Sequence, residues 1–134
     1  MSQIPPVLAW HMTNGGHNQH ERSMAKHSLR ALREMVELCI ASGATVQEIK
    51  EEVLAEMQAQ DSKGAFNQPP TVDGIAKEWA DVAICMLIIE GYGGFQSFRY
   101  VDQKMEVNFH RQWAADEFGV LWRPEVLEAR RAEK

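Results

Sequence analysis

The chain has 134 residues, 45% of them hydrophobic and 25% charged, with a net charge of −5, which fits one globular domain with a real core and leaves no room for two. The acidic balance argues against a nucleic-acid groove binder, whose affinity comes mainly from a basic face, but not against a nucleotide partner, because a divalent cation can bridge carboxylates to phosphates. No run reaches the roughly 18 apolar residues of a membrane span. Met1 to Trp10 lacks the pattern of a secretory leader, and Cys39 and Cys85 lie in apolar helical patterns without metal-type spacing. The expectation is a soluble, cytoplasmic protein with reduced thiols and no membrane partner.

In chain order, residues 1 to 19 form an adaptable segment. A short apolar piece from Val7 to Met12 predicts at most a short helix, and Asn14-Gly15-Gly16-His17-Asn18 breaks it. Trp10, His11, Asn14, His17 and His20 are groups that stack on or hydrogen-bond a ligand, while the histidines lack the spacing and carboxylate partner of metal ligands. From Glu21 to Ala41, Met24, Leu29, Leu32, Met35, Val36, Cys39 and Ile40 recur at helical steps, and Ser42-Gly43 ends the helix. A second stripe of that helix carries His27, Arg30, Glu34, Glu37 and Ala41, which places Glu34 and Glu37 one turn apart; an Arg30 to Glu34 ion pair accounts for half of it.

Thr45-Val46-Gln47-Glu48 reads as a capping box opening a helix over residues 45 to 60, whose Glu48, Glu51, Glu52 and Glu56 make a solvated face. Gln60 to Pro70 is a loop, Thr71 caps the next helix, and Lys77 to Ile89 is the most apolar run in the chain. Glu78 and Asp81 open that run and share one face of it. Two buried carboxylates repel each other and lose hydration unless a cation compensates, so this pair is a candidate metal site; an exposed turn would carry the same acids. After the Gly91 to Gly94 break, Ser97 to Glu117 reads as a helix with Lys104, Asn108 and Arg111 in one row and Val101, Met105 and Phe109 in another. The first row could cradle a polyanion or be solvated. Residues 123 to 134 are a charged tail with a short helix at Glu125 to Ala132. No segment has strand periodicity, so the class is all-α.

Glu34-Met35-Val36-Glu37-Leu38, Glu78-Trp79-Ala80-Asp81-Val82 and the Lys104 to Trp113 segment, which has the form K-x3-N-x2-R-x-W, together resemble the MazG-like all-α nucleoside triphosphate pyrophosphohydrolases, and among them the phage members similar to MazZ. The resemblance spans about residues 20 to 115. It implies a single-domain four-helix bundle completed by oligomerisation as a homodimer or homotetramer. It also implies hydrolysis of dGTP and dATP to monophosphate and pyrophosphate. Glu34, Glu37, Glu78 and Asp81 would be catalytic ligands of Mg2+ or Mn2+. Lys104, Asn108 and Arg111 would contact phosphate or sugar. Water would attack the α-phosphorus while the cations offset the developing charge. Trp10, Asn14 and Trp79 are the candidates for reading the base.

Two features depart from the family pattern. The Glu37 to Glu78 interval is long, which an inserted helix at 45 to 60 explains, and Arg33 and Lys77 stand where many members have an acid, which leaves the general base unassigned. Three alternatives stay open: pyrimidine specificity or house-cleaning hydrolysis, a non-enzymatic helical adaptor with these acids as solvated faces, and a di-iron bundle. The last requires Glu-x-x-His pairs, which neither Glu34 nor Glu78 opens.

Overall fold

The computed structural model describes residues 4–133, and these are mostly helical. The elements are α1 (Ile4–Thr13), α2 (Ser23–Ala41), α3 (Val46–Ser62), a 3-10 turn at Ala65–Asn67, α4 (Val72–Gly93), α5 (Ser97–Phe109), the two-residue strands β1 (Ala114–Ala115) and β2 (Leu121–Trp122), and α6 (Pro124–Ala132). No helix among the described residues is long and apolar enough to cross a membrane. The chain divides into two compact units, residues 4–35 with 97–133, and Val36–Gln96.

In the first unit, α1 starts earlier than its apolar pattern predicts, because Pro5 and Pro6 sit in the first turn, where backbone N–H groups have no helical partner to lose. The packed core lies in the chain's last quarter: Val120, Trp122 and Leu127 are buried together, with Ala114, Phe118 and Val126 against them. β1 and β2 pair antiparallel, Ala114 with Trp122 and Ala115 with Leu121. Asp116 organises the turn between them. Its Oδ1 accepts from the Phe118 and Val120 amides at 2.9 and 3.0 Å, and its Oδ2 accepts from Trp122 Nε1 at 2.9 Å. Gly119, at φ +81°, closes the turn.

The N-terminal segment is tied to this hairpin by polar bonds. Ser23, fully buried, donates from Oγ to the Phe118 carbonyl at 2.7 Å and accepts from the His20 amide. The His17 amide donates to the Gly119 carbonyl at 3.2 Å. These bonds pair polar groups of the loop with those of the hairpin where the two meet.

The expected helix from Ser97 to Glu117 is corrected here. α5 stops at Phe109, where the His110 and Arg111 amides fold back onto Val107 and Asn108, and the Trp113 indole N–H caps the Asn108 carbonyl at 3.0 Å. The expectation of no strands also yields to the small β1–β2 pair. α6 begins with Pro124 in its first turn and ends with Arg130 and Arg131, near the predicted span.

In the second unit, α3 opens on a reciprocal capping box: the Glu48 amide donates to Thr45 Oγ1, and Glu48 Oε1 accepts from the Thr45 amide. That hydrogen bonding lowers the Glu48 pKa, the backbone bond from Thr45 contributing most. Thr71 Oγ1 caps α4 by accepting from the Gly74 amide at 3.0 Å. Gly94, at φ +69°, ends α4, its amide donating to the Glu90 carbonyl. The burial expected of α4 is not found: Ile84, Leu87 and Ile88 are 56, 64 and 52% exposed.

Candidate functional site

The first unit holds a cavity of about 760 Å3 lined by Val7, Leu8, Trp10 and His11 of α1, by His17 of the following loop, by Met24 and His27 of α2, and by Val101 of α5. Its wall is apolar with a few polar groups set into it, the composition of small-molecule sites. Trp10 stands edge-on to Trp113, ring centroids 5.3 Å apart. Its indole Nε1 is buried without an acceptor among the described residues, leaving a donor next to the cavity. His11 and His27 approach to 5.1 Å between rings. His27 Nε2 lies 2.9 Å from the His17 carbonyl, so it carries the proton and donates. Burial, then the nearby His27 and His17, hold the His11 pKa below its ordinary value, favouring the neutral ring. Gly16 makes the close approach possible, since a Cβ there would come within 2.2 Å of His11 Nε2.

Of the base-reading candidates, only Trp10 lines this cavity. Asn14 is occupied elsewhere: Nδ2 donates to the Trp10 carbonyl at 2.8 Å and its amide to the same oxygen at 3.2 Å, so it caps α1. Trp79 is 73% exposed on α4.

The four candidate metal ligands are solvent-exposed and come as two pairs, each one turn apart on a single helix: Glu34 with Glu37 on α2, Glu78 with Asp81 on α4. Glu34 Oε1 accepts from Arg30 Nη1 at 2.6 Å. Lys77, beside Glu78, pairs with Asp73 at 2.8 Å. Carboxylate oxygens at this spacing are the donors that hard cations such as Mg2+ and Mn2+ take. Among the described residues, no group of three or more His, Cys, Asp or Glu is gathered to hold a metal.

The cationic row is shorter than its spacing predicts. Lys104 and Asn108 share a face of α5, whereas Arg111 lies beyond the last helical residue, so the seven-residue step no longer places it with them. Asn108 contributes its carbonyl to the Trp113 cap.

Two features escaped the sequence reading. The His11, His17 and His27 grouping depends on a loop folding back onto α2, which no periodicity announces. The basic face of α2, Lys26, Arg30 and Arg33 at i, i+4 and i+7, was visible in the spacing, yet its meaning depends on what α6 brings to it. No protein-family model, curated protein or solved structure matches this chain.

Proposed function

We propose that the protein is a metal-dependent diphosphohydrolase of purine deoxynucleoside triphosphates, dGTP and dATP, built as a MazG-like helical bundle that further copies of the chain complete as a homodimer or homotetramer. The observation carrying this reading is the pair of acid pairs on two long helices, both exposed, one of them at the start of the apolar run inside α4. Exposed carboxylates one turn apart are open to a hard cation, which takes oxygen ligands.

Glu34, Glu37, Glu78 and Asp81 would hold Mg2+ or Mn2+, which supplies positive charge to the phosphate oxygens. The remaining tasks fall to the chain. A carboxylate of either pair accepts the proton of the attacking water. Lys104 neutralises phosphate charge as a point cation, and Arg111 offers a planar fork to two oxygens. The Trp10 cavity supplies an apolar wall and one indole N–H for a base, and purines offer the larger stacking area.

The test is incubation with each of the four dNTPs and Mg2+ or Mn2+, identifying the phosphate product. The expected outcome is pyrophosphate release, faster from dGTP and dATP than from dCTP and dTTP. A preference for dUTP or dCTP moves the assignment to pyrimidine substrates. The exposed apolar faces of α2 and α4 also favour a second reading, a helical adaptor. An adaptor gains no melting temperature from Mg2+ with nucleotide, whereas the hydrolase does.

A further inference from the structure

We propose that a second cavity in the first unit, between the N-terminal half of α2, the Asp116 to Gly119 turn and the end of α6, binds a compact polyphosphate group. This inference goes beyond the hydrolase reading and does not depend on it. The cavity measures about 650 Å3 and is lined by five cationic side chains, Lys26, Arg30 and Arg33 of α2 and Arg130 and Arg131 of α6. Helical spacing puts the first three on one face. The guanidinium carbons of Arg130, Arg30 and Arg33 lie 4.0, 4.9 and 5.4 Å from the Trp122 ring centroid, and Lys26 Nζ lies 4.6 Å from the centre of Phe118.

A structural role explains part of this set. One guanidinium over an indole is a favourable packing arrangement, and basic residues in the last turn of α6 complement its dipole. Neither reason calls for three guanidiniums around one ring, because like charges repel. The countercharge is smaller than the charge it faces: Asp116 and Glu117 are the acids of the cavity wall, Asp116 holding two hairpin amides and the Trp122 indole, and Arg30 pairs with Glu34, so five cations meet three carboxylates. Among the described residues, Lys26, Arg33, Arg130 and Arg131 form no ion pair. In a chain of net charge −5, cations so concentrated await an anion.

The shape of the site selects the class of anion. Trp122 is 5% exposed, so no base can stack on it. The short α2 row and the two arginines of α6 line one cavity, which suits a compact group better than a nucleic-acid backbone. Guanidinium stacked by its face keeps its N–H edges for bidentate bonds to phosphate oxygens. The ligand is therefore of pyrophosphate or triphosphate size, neutralised by side chains and independent of a metal ion. It would bridge α2 to α6.

The experiment is isothermal titration with sodium tripolyphosphate in excess EDTA, with thermal melting alongside. Wild-type protein is expected to bind and to melt at a higher temperature with the anion, and to do neither with sulfate at matched ionic strength. Arg33→Gln with Arg131→Gln, both exposed positions, should melt like wild type without ligand yet bind at least about 10-fold more weakly, since two charge-assisted bidentate donors are lost. Arg33→Lys with Arg131→Lys, which keeps charge and removes the fork, should fall between the two. No wild-type binding, an equal response to sulfate, or undiminished binding in the glutamine variant overturns the proposal. Binding lost in Lys104→Ala with Arg111→Ala and kept in the glutamine variant assigns the anion to the α5 region and also overturns it. Because chelator is present throughout, failure here leaves the hydrolase reading untouched.

Discussion

Asp116 is the residue on which the first unit's geometry turns, because one carboxylate answers two backbone amides and the indole of a core tryptophan. Gly119 matters as much, for a different reason. Its φ of +81° suits glycine, and a Cβ there would lie 2.1 Å from the His17 carbonyl oxygen, a backbone atom that cannot swing away. Gly119→Ala should therefore destabilise the protein by about 2–5 kcal/mol, the sum of left-handed strain and overpacking, measurable as a lowered urea midpoint. An unchanged midpoint would mean that the loop at His17 does not rest on the hairpin. The Asp-x-x-Gly pattern was present in the sequence, but two-residue strands have no alternation to read, so the helix was extended through it. Trp10, a candidate for reading the base, lines a cavity. Asn14 bonds locally, as a short amide just past a helix end does when it finds the free carbonyls there.

At the scale of elements, local chemistry was readable wherever a cap fixes the end. Thr45 with Glu48 and Thr71 with Gly74 start α3 and α4 where the sequence places them. Where the end depends on a side chain that folds back from the following loop, as Trp113 capping α5, the reading overshot, and with it the claim that Arg111 shares a helical row with Lys104. The acid pairs do not suffer from this, because each lies well inside one helix. Glu37→Gln and Asp81→Asn keep size and remove charge, so each should reduce turnover by 100-fold or more, about 3 kcal/mol of lost electrostatic stabilisation, while circular dichroism stays the same. Glu34 is the less clean choice, since its bond to Arg30 adds a surface contribution of about 0.3–0.5 kcal/mol to whatever else it does. Full turnover in excess chelator would remove the metal from the account altogether.

For the molecule as a whole, the sequence pattern identified α4 as the element most in need of burial, and one chain leaves that need unmet. Ile84, Leu87 and Ile88 lie at helical spacing and are all more than half exposed, and Trp79 and Tyr92 of the same helix are 73 and 92% exposed. Because these side chains are already part covered, burying the remainder gains about half of the ~1.5–3 kcal/mol of full burial for each, on both copies at once, and this gain opposes the association cost. Sequence alone could not assign this face, because apolar periodicity specifies that a surface is buried without saying whether its own chain or another buries it. The bundle proposed here therefore predicts a homodimer or homotetramer in light scattering at micromolar concentration. Leu87→Glu, placing a charge on the uncovered face, should shift the population toward monomer and keep the helical content of each chain. If hydrolysis is carried by the assembled bundle, turnover should fall in proportion to the oligomer lost and recover as protein concentration is raised. A wild-type chain that scatters as a monomer at every concentration would refute the assembly. Unchanged mass in Leu87→Glu would move the interface to another face.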